Sequence, residues 1–270
     1  MIRERVGFIG CGNIASALIG GLLKSKTLNS KQIYAFDIRR ERLKKVEKEQ
    51  AINALRDNKD VVRKSDIIVL AVKPQNIKEV LEEIKSSLSK DKRLFSIAAG
   101  VSTRFIEETI NGEIQVVRVM PNTGALVGLA CCGICKGRYT DENGLNLARE
   151  IFGAVGLVVI VDDESLMDTI TAISGSGPAY VFYLVEAFIQ AGLSLGLSRE
   201  VSNLLANQTI VGAGHLLSES GSSPEELRRA VTSPGGTTEA AIELFEKKEF
   251  KNIVVEAIKA AYARAKELSK

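Results

Sequence analysis

A short stretch near the start of the chain limits the fold more than any other. Val6-Gly7-Phe8-Ile9 is an apolar run, and Gly10-Cys11-Gly12-Asn13-Ile14-Ala15 follows at once. Apolar and small residues then recur at helical spacing through Ile14, Ala17, Leu18, Gly21 and Leu22. Strand, G-x-G-x-x-A and helix, in that order, open a dinucleotide-binding βαβ unit. Gly10 permits the tight turn and Gly12 lets a pyrophosphate approach the backbone. Ala15 is small enough for the helix to lie close to the strand. Asn13 and Ile14 begin a helix whose first N–H groups lack internal partners and attract phosphate.

The next strand, Ile33–Phe36, ends at Asp37, where an acidic residue accepts hydrogen bonds from the adenosine ribose and favours NAD(H). Arg39 and Arg40 follow, and an arginine here favours the 2′-phosphate of NADP(H). The two signals conflict, and Arg40-Glu41-Arg42 also reads as a solvated helix start. Strand and helix signals alternate onward, with strands at residues 66–72, 94–97, 115–120, 129–135 and 157–161. This alternation predicts a parallel sheet covered by helices. Ligands bind such sheets at the carboxyl ends of the strands. Small residues stand there, at Ala71, Ala98, Ala99 and Asn122, and make room for a nicotinamide ribose. Lys73, beside Val72 and Pro74, reads equally as a cofactor contact and as a solvent lysine.

After Asp162-Asp163-Glu164 strand signals stop and helical periodicity runs to the end. A nucleotide-binding domain over 1–161 and an all-α domain over 162–270 are therefore expected. One helix, from Ala179 to about Leu195, is apolar nearly all round, which marks a core helix or one shared between subunits. Both roles are expected, with intertwined subunits.

Composition removes several classes. The net charge of +3 is small for 270 residues, and basic and acidic residues are interspersed, so neither a nucleic-acid face nor a membrane-binding patch is expected. Trp is absent, which argues against a base-stacking platform. No leader-like or membrane-spanning apolar segment is evident, and a cytoplasmic location is expected. Cys131, Cys132 and Cys135 form C-C-x-x-C without a second cysteine pair. They read as buried small residues in a reducing compartment, with no metal site.

The helical half contains Val231-Thr-Ser-Pro-Gly-Gly-Thr-Thr238, uncharged and placed at a helix start. Bare backbone and hydroxyls there suit a small carboxylate, although a capped loop has the same composition. No lysine occurs between Lys136 and Lys247, and the single histidine, His215, sits in an apolar helical context that suits a structural role. A ketone needs a positioned acid as hydride arrives. A C=N nitrogen is basic enough to bring its own proton, so a charge-poor hydroxyl site fits imine reduction better.

Two long uncharged motifs, Ile173-Ser-Gly-Ser-Gly-Pro-Ala-Tyr180 and Val231–Thr238, stand with Gly7–Asn13, Ala71-Val-Lys-Pro74, Ala98-Ala-Gly-Val101 and Arg118-Val-Met-Pro-Asn-Thr123. Together they make the sequence resemble the pyrroline-5-carboxylate reductases over nearly its whole length. The resemblance implies reduction of 1-pyrroline-5-carboxylate to L-proline with NADP(H), or alternatively NAD(H). It implies a Rossmann-type domain followed by a helical dimerisation domain, a homodimer through the C-terminal helices, and often a decamer of five dimers. It places the substrate carboxylate at Ser233, Gly236 and Thr237, the ring nitrogen at Thr238, Glu164 near the substrate, and Asn58 at the cofactor's adenosine. Gly124 departs from the family, which usually has proline after Asn-Thr. A change in loop rigidity is expected there.

Overall fold

The computed structural model describes residues 2–269. They divide into two compact units. One comprises residues up to Ser176 together with the segment from Ala261, and the other is Gly177–Ala260. The division expected near residue 161 follows the change in secondary structure. By packing, the segment 162–176 stays with the first unit, and the C-terminal segment returns to it.

The first unit is built on eight strands: β1 (Val6–Ile9), β2 (Ile33–Phe36), β3 (Asn53–Ala54), β4 (Ile67–Leu70), β5 (Arg93–Ser96), β6 (Gln115–Met120), β7 (Ala130–Lys136) and β8 (Gly156–Ile160). They form one sheet in the order β3-β2-β1-β4-β5-β6-β7-β8. Its helices are α1 (Asn13–Lys24), α2 (Arg40–Gln50), α3 (Asn58–Lys64), α4 (Ile77–Ile84), α5 (Thr103–Ile110), α6 (Glu142–Gly153) and α7 (Leu166–Ile170). β4 shows why the sheet needs helices on both faces. Ile67 and Val69 enter one apolar cluster with Leu18, Leu22 and Phe152, while Ile68 and Leu70 enter another with Ile77, Leu81 and Ile106. A strand buried on both faces reads as a continuous apolar run, and this one does.

The expectation of a parallel sheet requires one correction. β7 runs antiparallel to β6, with Val119 opposite Ile134. Parallel neighbours need a crossover of a dozen or more residues, usually helical. The link from β6 to β7, residues 121–129 around a 3-10 helix over Thr123–Val127, is too short for such a crossover and reverses the chain. β8 returns parallel to β7 because α6 supplies a crossover.

The second unit holds α8 (Gly177–Ser194), α9 (Arg199–Glu219), α10 (Pro224–Ala230), α11 (Thr237–Lys247) and most of α12 (Phe250–Leu268). α8 and α9 pack closely at Gly192, where a Cβ would stand 2.6 Å from the Ser202 hydroxyl. Ser198 caps α9 by accepting the Val201 N–H. Phe245 and Phe250 stack across the α11–α12 turn at 5.0 Å between ring centres. Little else is covered. α8 has no buried residue, and Phe182, Tyr183, Leu204 and Leu205 are all more than half exposed. The helical run Leu166–Ser194 is long and apolar enough by composition to cross a membrane. α8 is thus not a core helix within a single chain, which corrects one of its two expected roles.

Candidate active site

The glycine turn is built for close approach to the backbone. Gly10 has φ +98°, and a Cβ there would lie 2.6 Å from the Ala71 carbonyl oxygen. β1 and β4 are neighbours in the sheet, so any side chain at residue 10 strikes β4's exit. Gly12 is different, since a Cβ there would meet nothing within 4 Å. It is the N-cap of α1, no side chain caps that helix, and no acidic residue stands in its first turn. The N–H groups of Asn13, Ile14 and Ala15 therefore face a bare, positive helix end. A cradle that a Cβ would occupy at Gly12 fits a bound pyrophosphate.

Asp37 is 7% exposed, and both carboxylate oxygens accept backbone N–H groups: Cys11 at 2.7 Å and Arg39 at 2.7 Å. The carboxylate thus ties the glycine turn to the start of α2. Arg39 and Arg40 are exposed there. Burial and the Asp37 charge together push the Cys11 thiol up to about 12. Asn58 is buried, and its amide donates to Glu83 at 2.7 Å. Ala71, Val72, Lys73 and Pro74 follow β4 directly, with Lys73 and Pro74 exposed, and Ala98 and Ala99 follow β5. These residues share the carboxyl edge of the parallel strands with the glycine turn.

Glu164 lies in the same unit and is fully engaged. It accepts the Thr103 N–H at 2.8 Å, the Thr103 hydroxyl at 2.6 Å and Arg118 at 3.2 Å. Arg118, on β6 and 4% exposed, also pairs with Asp168, which accepts the Ser269 hydroxyl at 2.8 Å. This cluster around the buried Arg118 escaped the sequence reading because its members are scattered along the chain.

Ser233, Gly236, Thr237 and Thr238 belong to the second unit. Gly236 is the N-cap of α11 without a side-chain cap, and Thr237 and Thr238 open the helix. The Gly236 N–H is spent on the Ser233 carbonyl at 3.0 Å, and Gly235 donates to Glu239 at 2.6 Å. The first-turn N–H groups of Thr237 and Thr238 remain as donors, beside three hydroxyls. Sequence reasoning missed Glu239. Its position three residues after the N-cap is the spacing of a reciprocal cap, which was the available signal.

The cysteines of β7 are free, with Cys132 and Cys135 buried. Burial pushes their thiols up to about 12 and about 11.

Residues 164–268 match the family described as pyrroline-5-carboxylate reductase dimerisation, and residues 5–100 match the family described as NADP oxidoreductase, coenzyme F420-dependent. A pyrroline-5-carboxylate reductase of Pseudomonas aeruginosa is 40% identical over 269 residues, covering 100% of this chain and 98% of its own. The chain belongs to the pyrroline-5-carboxylate reductase family. The solved reductase of Coxiella burnetii superposes with a TM-score of 0.94 at 38% identity, covering 100% of both chains. The Plasmodium falciparum reductase, solved with NADP bound, gives a TM-score of 0.88 at 34% identity, also over 100% of both. The dimerisation match spans the helices whose apolar faces are bare in the single chain, so the exposed α8 and α9 fall in the segment that matches the dimerisation family.

Proposed function

We propose that the chain reduces 1-pyrroline-5-carboxylate to L-proline with NADP(H), the closing step of proline synthesis. The observation that carries the reading is the hydroxyl-lined start of α11, whose N-cap Gly236 has no side chain to cover the Thr237 and Thr238 N–H groups, in a half of the chain that has no lysine before Lys247. A bound nicotinamide cofactor supplies the hydride. The Thr237 and Thr238 N–H groups, with the Ser233 hydroxyl, hold the substrate carboxylate, and Gly236 lets it approach. The Thr238 hydroxyl orients the ring N–H. The imine nitrogen is protonated before reduction, so its carbon accepts hydride without a protein acid, and the nitrogen keeps that proton in the product.

Gly10, Gly12, Asn13, Ile14 and Ala15 hold the pyrophosphate in this reading. Asn58 lies toward the adenosine, while Ala71, Val72, Lys73, Pro74, Ala98 and Ala99 line the nicotinamide side. The commitment of both Asp37 oxygens to backbone N–H groups favours an anchoring role, which leaves exposed Arg39 to meet a 2′-phosphate and favours NADP(H) over NAD(H). The bonds to Thr103 and Arg118 favour a supporting role for Glu164 rather than direct contact. The bare helical faces support a homodimer through the second unit, and five such dimers form the decamer the resemblance implies. Free buried thiols fit a reducing cytoplasm.

The test is spectrophotometric. NADPH oxidation is followed with 1-pyrroline-5-carboxylate, and proline is measured as product. Turnover with stoichiometric proline is expected, and no turnover removes the reading.

A further inference from the structure

Asn122, just past β6, uses both ends of its side-chain amide. Its oxygen accepts the Gly124 N–H at 3.1 Å and the Cys131 N–H at 3.4 Å. Its nitrogen donates to the Ser174 carbonyl at 3.1 Å and reaches the Ser174 hydroxyl at 3.3 Å. That hydroxyl in turn donates to the Cys131 carbonyl at 3.1 Å. The side chain is therefore held toward residue 174 and does not merely leave room at the strand end.

Residue 174 lies in an unusual turn. Thr171–Gly175 is π-helical, and the Ser176 N–H reaches back five residues to Thr171 at 2.9 Å. Such bulges are rare and cluster at functional sites. Here the sequence supplies a cause. Four residues after Ser174 stands Pro178, the second residue of α8 and within the helical run Leu166–Ser194. In an α-helix the N–H of residue 178 would bond the carbonyl of residue 174, but proline has no N–H. The Asn122 amide delivers a hydrogen bond to that same carbonyl. Gly175 completes the fit, because a Cβ there would lie 2.5 Å from the Met120 methyl.

We propose that Asn122 is a positioning residue of the reaction. Its amide replaces the N–H that Pro178 lacks, and so fixes the π turn through which the chain passes from the cofactor unit into the helical unit. The proposal rests on the reductase reading for its kinetic consequence and on the hydrogen bonds alone for its structural one. Gly124 belongs to the device, because a proline there would have no N–H for the Asn122 oxygen.

Asn122→Asp separates the two ends of the side chain: it keeps an accepting oxygen for Gly124 and Cys131 and removes the donor. In the full-length protein, kcat for 1-pyrroline-5-carboxylate should fall at least tenfold, while the NADPH dissociation constant stays within twofold. Amide exchange over residues 174–179 should accelerate. Adding Pro178→Ala supplies an N–H at residue 178, so the double variant should recover at least fivefold in kcat and regain slow exchange. An unchanged kcat, a parallel loss of NADPH binding, or a double variant no better than Asn122→Asp overturns the proposal. If Asn122→Asp folds poorly alone, the Pro178→Ala background decides: folding restored there supports the bond, and folding still lost there refutes it. If the wild type does not reduce the imine, the reductase reading fails, and the exchange data still judge Asn122.

Discussion

The carboxylate of Asp37 accepts the Cys11 N–H at 2.7 Å, from 26 residues earlier in the chain, and so binds the end of β2 to the glycine turn after β1. Its second oxygen holds Arg39 at 2.7 Å. An acidic residue at this place is ordinarily taken as a reader of the ribose. Here both of its oxygens are spent on holding the glycine turn to the start of α2.

Asp37→Ala should therefore weaken NADPH and NADH alike. A charged group's hydrogen bond contributes about 1.5–3 kcal/mol, so both KM values should rise roughly tenfold or more. Arg39→Ala should raise the KM for NADPH and leave that for NADH within about twofold. Steady-state kinetics with both cofactors distinguish the pair. A preference switched toward NADPH by Asp37→Ala contradicts the anchoring role.

The two glycines of the turn should respond differently. Gly10→Ala forces a side chain onto the Ala71 carbonyl at a positive φ and should destabilise the unliganded protein by about 1–3 kcal/mol. Gly12→Ala meets nothing in the free protein, so its stability should change by less than about 1 kcal/mol. Its cost should appear only on cofactor binding, as a loss of roughly tenfold or more in affinity. Thermal melts with and without NADPH measure both effects.

The Arg118 cluster yields a third prediction. Removing one partner of a buried ion pair leaves uncompensated charge, at a cost of about 3–5 kcal/mol. Arg118 is buried, but Glu164 and Asp168 keep 26% and 13% side-chain exposure and their hydroxyl donors, so Arg118→Ala should cost less than a fully buried pair would, about 1–3 kcal/mol in urea unfolding. Arg104→Ala removes only an exposed, solvent-screened pair with Glu108 and should leave the urea midpoint unchanged.

Much of this organisation is written locally. β1, the glycine turn and α1 follow from apolar runs and small residues adjacent in sequence. What the sequence hides depends on long-range pairing. β3 is two residues long and exists by pairing with β2. The reversal of β7 depends on a connection too short for a crossover. The π turn has no periodic signature, and the cluster around Arg118 joins residues from 103 to 269. At α11 the hydroxyls and glycines were visible, whereas the bond from Gly235 to Glu239 emerges only once the helix start is fixed.

The thiols give a pH prediction. Burial raises the Cys132 thiol from 9.0 to about 12, so at pH 10 the unfolded chain ionises while the native protein keeps its proton. Ionisation then favours the unfolded state. Stability attributable to this group is full below pH 9 and is lost as pH rises toward 12. Cys132→Ala should therefore flatten the alkaline limb of a stability–pH curve, whatever cavity cost it adds at neutral pH. An unchanged alkaline slope refutes this.

The central claim is that a hydroxyl-lined, charge-poor helix start serves a substrate that carries its own proton. The most direct measurement compares kcat/KM for 1-pyrroline-5-carboxylate with that for a five-membered cyclic ketone bearing a carboxylate, under saturating NADPH. The account predicts ready reduction of the imine, at least about a thousandfold in excess of the ketone, or roughly 4 kcal/mol in barrier. Comparable reduction of the ketone, or none of the imine, would contradict it.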